Sequence, residues 1–250
     1  MSKVKDDISN YHVLDADKIV KTLEQLSLRI HERFTECGLY KLCQKLHGIA
    51  SHAKKRSMSI AMPFWTLRVF TMLIVLGILA ISLAPLFLFE WKEEMKLDDF
   101  ISVLEPGMNV VILVGAAILF VTTWEIRVKR KRALSAIHEI RSIAHIIDMH
   151  QLTKDPERLR SGHVATSTSP EMSMSPFELG RYLDYCSEML SLTGKVAALY
   201  IQHFDDSVAI ASANEVEILC TGLSRKIWQK IMLLGPVSET ESESDALGVE

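Results

Sequence analysis

Cysteine is scarce: Cys37, Cys43, Cys186 and Cys220 are the four in 250 residues. That excludes a disulfide scaffold. Catalytic signatures are missing too. No GxxxxGK[ST] is present, so there is no P-loop, and no GxSxG nucleophile elbow. His138-Glu139 opens like HExxH, but Ser142 stands where the second metal ligand belongs. None of the nine histidines has a Glu three residues before it, as a di-iron bundle requires. Cys37 and Cys43 lack zinc-knuckle spacing, and no second Cys pair follows. No stretch alternates as a strand does. Most telling is the absence of charge from two long stretches. Val69 to Phe89 holds 21 residues without one, and Pro106 to Trp124 holds 19.

Each uncharged run matches the ~20 apolar residues with which a helix crosses a bilayer. Apolar residues make up 48% of the chain and mean hydropathy is +0.17. A simple soluble enzyme and a disordered chain are therefore both excluded. The net charge of −3 is unevenly spread. Residues 1–68 carry +5, residues 90–105 carry −4, residues 106–141 carry +4 and residues 142–250 carry −8. Lys54, Lys55, Arg56 and Arg68 precede the first run; Arg127, Lys129, Arg130, Lys131 and Arg132 follow the second. The positive-inside rule then places both termini in the cytoplasm and the acidic loop outside. Trp65, Trp91 and Trp124 sit near three of the four run ends, where indole rings favour the interface. The first apolar run starts too far along the chain for a signal peptide. The expected location is a membrane, spanned twice.

The pattern predicts an all-α chain: a two-helix transmembrane hairpin with a cytosolic helical bundle built from the N- and C-terminal segments. Residues 1–14 read as loose and 15–62 as a helix pair. Asp15 is the expected cap of the first helix, with Leu14 and Ile19 as a staple. Ile19, Leu23, Leu26 and Ile30 form its apolar stripe. Gly38 ends it, and Leu39, Leu42, Leu46, Ile49 and Ala53 carry the next. The first transmembrane helix is expected over 63–90, kinked at Pro85. A short external loop follows over 91–105, and Pro106-Gly107 opens the second transmembrane helix over 106–125. Its cytosolic extension, 126–152, bears Leu134, Ile137, Ile140, Ala144 and Ile147. One helix from Pro106 to Leu152 would be roughly 70 Å long. Residues 153–175 read as a flexible loop. Ser175-Pro176-Phe177-Glu178 then starts a helical hairpin over 176–235. Its first helix bears Leu179, Leu183, Cys186, Leu190, Ala197 and Tyr200. Its second bears Val216, Leu219, Leu223, Ile227 and Ile231. Gly235-Pro236 closes it, before a disordered acidic tail at 236–250. The cytosolic stripes must pack together or, as coiled coils, against copies of themselves.

Inside the spans, polar residues carry the most information. Thr71 and Ser82 share a face of the first. Asn109, Ala116 and Thr123 recur every seven residues in the second. These five form a candidate pore lining or helix-packing seam. No ionisable group lies in either run, which argues against an ion-coupled transporter. Lys54, Lys55, Arg56, Arg127, Lys129, Arg130, Lys131 and Arg132 are candidate anionic-lipid contacts. No nucleic-acid partner is expected, because the distal cytosolic part is acidic. His138, His145, Asp148 and His150 are the side chains on which an enzyme reading would rest. No cofactor and no metal are expected.

Cytosolic helices, a two-span hairpin and further cytosolic helices together form a layout that resembles the bacterial two-transmembrane SLATT effectors. That resemblance implies a pore-forming membrane effector that accompanies a nucleotide-sensing defence module. The segments DADKIVKTLEQLSLRIHERF, IDMHQLTKDPER, SPFELGRYLDYCSEML and GLSRKIWQKI are similar to a bacterial family of two-pass helical membrane proteins with no assigned activity. The expected function is non-enzymatic: a homo-oligomeric membrane scaffold, sensor or pore-type effector in the lipid bilayer. The alternative is a membrane-anchored adaptor that recruits a soluble partner through residues 176–234.

Overall fold

The structure, a computed structural model, describes residues 13–35, 37–88, 97–159, 166–169 and 173–247. For residue 61 and residues 81–88, 97–106 and 235–247 only the backbone is described. The described chain is all helical, with no strand. In order come α1 (Ala16–Arg33), α2 (Gly38–Ala61), α3 (Trp65–Leu88), α4 (Leu97–Leu152), a 3₁₀ turn (Pro156–Leu159), α5 (Pro176–Ile201) and α6 (Ser207–Leu247). The chain divides into two units. One comprises Met1–Ala61 and Arg132–Glu250, the other Met62–Lys131.

The first unit is a helical bundle around one core. Asp15 caps α1, its carboxylate accepting from the Asp17 and Lys18 amides at 2.9 and 3.3 Å. Such a cap satisfies amides that have no partner within the helix. α1 buries Ile19, Leu23, Leu26 and Ile30, the stripe the spacing predicts. Leu14, the expected staple residue, is exposed. α2 buries Leu39, Leu42, Cys43, Leu46, Ile49 and Ala53. The distal part of α4 adds Ala133, Ala136, Ile137, Ile140, Ile143, Ala144 and Ile147 to the same core. The centre of the bundle is α5, which packs on α1, α2 and α6. It opens with a full capping box, Ser175 and Glu178 each holding the other's amide, and Pro176 sits in the first turn. Asp206 accepts from the Ala209 amide at 3.0 Å and caps α6.

The second unit contains α3 and residues 97–131 of α4. Two helical stretches, within Gly38–Ala80 and Gly107–Leu159, are long and apolar enough to cross a membrane. Their apolar windows are 6% and 0% buried, so this chain does not enclose them in a core of its own. Arg68 donates twice to Glu125, from Nε at 3.1 Å and Nη2 at 3.2 Å, linking α3 to α4.

Three boundaries differ from the sequence reading. α4 begins at Leu97, so residues 97–105 are helical and Pro106-Gly107 lies inside a helix. Pro106 sits in its third turn, where it costs one backbone hydrogen bond and the helix continues past it. α3 runs through Pro85 to Leu88, inside the expected 63–90. α6 continues past Gly235-Pro236 to Leu247, where the composition predicts a disordered tail; the Ser/Glu run there contains no further helix breaker. The loop at 153–175 contains the 3₁₀ turn, whose Pro156 is buried. Most of the loose N-terminus expected at 1–14, together with Trp91 and residues 91–96 of the loop, lies outside the described residues.

Burial disposes of three of the four thiols as nucleophiles. It pushes Cys43 up to about 12 and Cys220 to about 11, and raises Cys186 further. All four cysteines are free and Cys37 alone is half-buried rather than buried. In the native protein, maleimide should label Cys37 and spare the other three until denaturant is added. Equal labelling of all four under native conditions would contradict this core.

Candidate functional site

The candidate seam divides. Thr71 is half-buried, and its hydroxyl donates to the Leu67 carbonyl of its own helix at 2.8 Å. Its neighbours on that face, Val75 and Ile78, are half-buried too. Ser82 has a helical backbone, but its side chain lies outside the described residues. Asn109, Ala116 and Thr123 are all exposed. The half-buried positions of the same span are instead Val110, Val114, Gly115, Ala117 and Val121, so the polar repeat lies off the face that this chain covers itself. Among the described residues, the Asn109 amide has no hydrogen-bond partner.

The basic residues divide as well. Lys54 is paired with Asp17 at 2.6 Å, and Arg56 with Glu139 at 3.0 Å. Lys129 is held by Glu125 at 2.8 Å and is buried, so it is not free to meet lipid as the sequence suggests. Its ammonium also lies 5.9 Å from the centre of the Phe64 ring. Lys55, Arg127, Lys131 and Arg132 are exposed, and Arg130 is half-buried. At the basic end of the apolar stretch, then, two cations converge on one carboxylate. The Glu125 side chain is only 7% exposed. Sequence reasoning misses this triad, because Glu125 reads as one acid in a basic flank. The available signal is opposite charge at matching ends of two apolar runs, Arg68 before one and Glu125 after the other.

The side chains of the enzyme reading are scattered. His138 and His145 are exposed. Asp148 accepts from Gln151 Nε2 at 2.6 Å. His150 packs against the start of α2: a Cβ built on Gly38 would lie 2.6 Å from His150 Cε1, so glycine leaves room for the ring. Among the described residues, no three His, Cys, Asp or Glu side chains converge as metal ligands would. What gathers at this end of the bundle is a helix cap. Lys230 of α6 donates to the carbonyls of Gln151 and Lys154, at 2.9 and 3.3 Å. A cation on the last carbonyls of α4 complements the helix dipole. Burial lowers the pKa of Lys230, against the opposing pull of Asp155 and Asp148.

His150 gives this end a pH dependence. Burial, and then nearby Lys154, lower its pKa. The unfolded chain takes up the proton near ~6.5, before the folded chain does. Stability is therefore full above that pH and falls as pH drops through it. The urea midpoint of the bundle should decline between about pH 7 and pH 5 more steeply than that of a His150→Asn variant. Equal slopes would show that His150 is not the titrating group.

No protein-family model, curated protein or solved structure matches the chain.

Proposed function

We propose that this chain is a non-enzymatic two-pass integral membrane protein that works as a homo-oligomer. α3 and the apolar stretch of α4 form a transmembrane hairpin with both termini cytoplasmic, and the bundle lies on the cytoplasmic side. In this reading the protein is a scaffold, sensor or pore-type effector of a bacterial inner membrane.

One observation carries the oligomeric part. Asn109, Ala116 and Thr123 recur every seven residues along one face of an apolar helix, and all three are exposed. In hydrocarbon an unpaired amide is costly, and small residues at that spacing let a second helix approach closely. A span from another copy supplies both the partner and the cover. If the oligomer encloses a pore, the same polar line faces it.

The test is the mass of the protein in a lipid nanodisc, followed by dissociation on dilution in detergent. Asn109→Leu should weaken association by ~1–2 kcal/mol, or about five- to thirtyfold. If wild type is a monomer, or if the variant dissociates like wild type, the seam assignment fails. A closed ring of four or more subunits justifies conductance measurements, in which Asn109→Leu should alter the current. The adaptor reading uses the same helices, 176–234. Removing residues 153–250 is a poor test of it, because α5 forms the centre of the core.

A further inference from the structure

α5 and α6 leave an open groove of about 540 Å³ on the outside of the bundle. One wall, from α5, presents Asp184 and Glu188; the other, from α6, presents Arg225 and Trp228. The wall of α6 belongs to a larger apolar face. Ile218, Trp228 and Met232 are 72%, 61% and 66% exposed, and their spacing puts them on one side of the helix. Tryptophan exposed to this degree, beside an arginine, is the composition of a binding hot spot.

We propose that this groove is an interface with a second copy of the same chain, related by a two-fold axis parallel to α5 and α6. The inference rests on the homo-oligomeric reading above and names where the bundles meet. The charges select both the occupant and the axis. α5 and α6 are consecutive, joined by a short turn at residues 202–206, and pack against each other, so they are antiparallel. Asp184, Glu188, Arg225 and Trp228 line one groove, so they stand at the same height. A two-fold axis along the helices keeps that height and exchanges the walls. Arg225 of each copy then faces Asp184 and Glu188 of the other. An axis across the helices would set acid against acid and Arg225 against Arg225, which is repulsive. The two carboxylates are already positioned. Arg181 holds Asp184 at 3.0 Å and Arg29 holds Glu188 at 2.6 Å, yet each remains more than a third exposed and can accept from another guanidinium. A self-complementary patch of this kind is what a two-fold interface requires.

The test uses the full chain in nanodiscs, with two tagged populations co-expressed. One carries Ser187→Cys on the α5 wall, the other Ser224→Cys on the α6 wall. Oxidation should join the two tags, well above the wild-type background and above either variant alone. Arg225→Glu or Trp228→Ala, both at exposed positions, should cut that yield about tenfold or more while helical circular dichroism stays unchanged. A monomeric wild type overturns both this proposal and the oligomeric reading. An oligomer without the mixed cross-link overturns this proposal alone and leaves the membrane seam standing. So does a cross-link stronger between two Ser187→Cys chains, which means the other axis. A soluble protein that protects this face from labelling in place of the second copy also overturns it, and favours the adaptor.

Discussion

Ile140→Asp should abolish cooperative unfolding of the bundle. Ile140 is fully buried on α4, in the same core as residues of α1, α2, α5 and α6. A carboxylate there has no designed partner, and the surrounding side chains are apolar. Burying it costs several kcal/mol beyond the packing that is lost, of the order of ~3–5 kcal/mol. Whole domains are stable by only ~5–15 kcal/mol, so one such change removes much of the margin. The control is His138→Asp, two residues earlier on the same helix and exposed. Surface changes of that kind stay within about 0.5 kcal/mol. The expected result is a lost or strongly lowered melting transition for Ile140→Asp, with rapid proteolysis of residues 13–61. His138→Asp should melt like wild type. Both variants should still resist alkaline extraction from membranes, because the apolar runs are untouched. If Ile140→Asp melts with wild type, residues 132–152 do not belong to the core.

That contrast shows what is legible in the sequence. The α1 stripe can be read residue by residue, because one side of the helix is apolar and the rest is charged. The same holds for Ile137, Ile140, Ala144 and Ile147 on α4, all of them buried, while Leu134 at the head of that stripe is half-buried. Periodicity works when a helix has a wet side. It is less informative for α5, where Tyr182, Tyr185, Met189, Leu192, Thr193 and Val196 are buried as well as the predicted stripe. A helix enclosed by neighbours loses its one-sided signature, and Thr193 satisfies its hydroxyl within its own helix at 2.7 Å. Lys230 cannot be read as the cap of α4, since 79 residues separate it from Gln151. Helix ends are the weakest point for a physical reason. Proline reads as a boundary at 106 and 236, but it removes only one donor and a helix can run through it. The candidate seam is legible as spacing alone; that Asn109, Ala116 and Thr123 are exposed requires coordinates.

Reversing one charge of the Arg68–Glu125–Lys129 triad should disrupt the proposed hairpin, and reversing its partner as well should restore it. Glu125 is nearly enclosed, with Arg68 on one side and Lys129 on the other. Glu125→Arg would crowd three cations where one carboxylate now binds two. Losing the enclosed carboxylate's pairing costs ~1–3 kcal/mol, less than for a fully buried pair, because Arg68 is itself 57% exposed and water screens its charge. Arg68 is the better partner to exchange, since its two donors meet both carboxylate oxygens, a geometry that lysine cannot reproduce. Arg68→Glu alone should be similarly damaging, leaving two carboxylates to compete for Lys129. In the double variant, Arg68→Glu with Glu125→Arg, the carboxylate and the guanidinium exchange helices, and the attraction between α3 and α4 returns. Full recovery is not expected, because Lys129 then sits one turn from the introduced guanidinium. The measurement is unfolding in bicelles, with insertion checked separately by extraction. Equal damage in the single and double variants would mean that the charges act by setting topology, through the count of cations at the inner face, and not by pairing the helices. Coupling of ~1.5 kcal/mol or more between the two positions would identify the pair as the clasp of the hairpin.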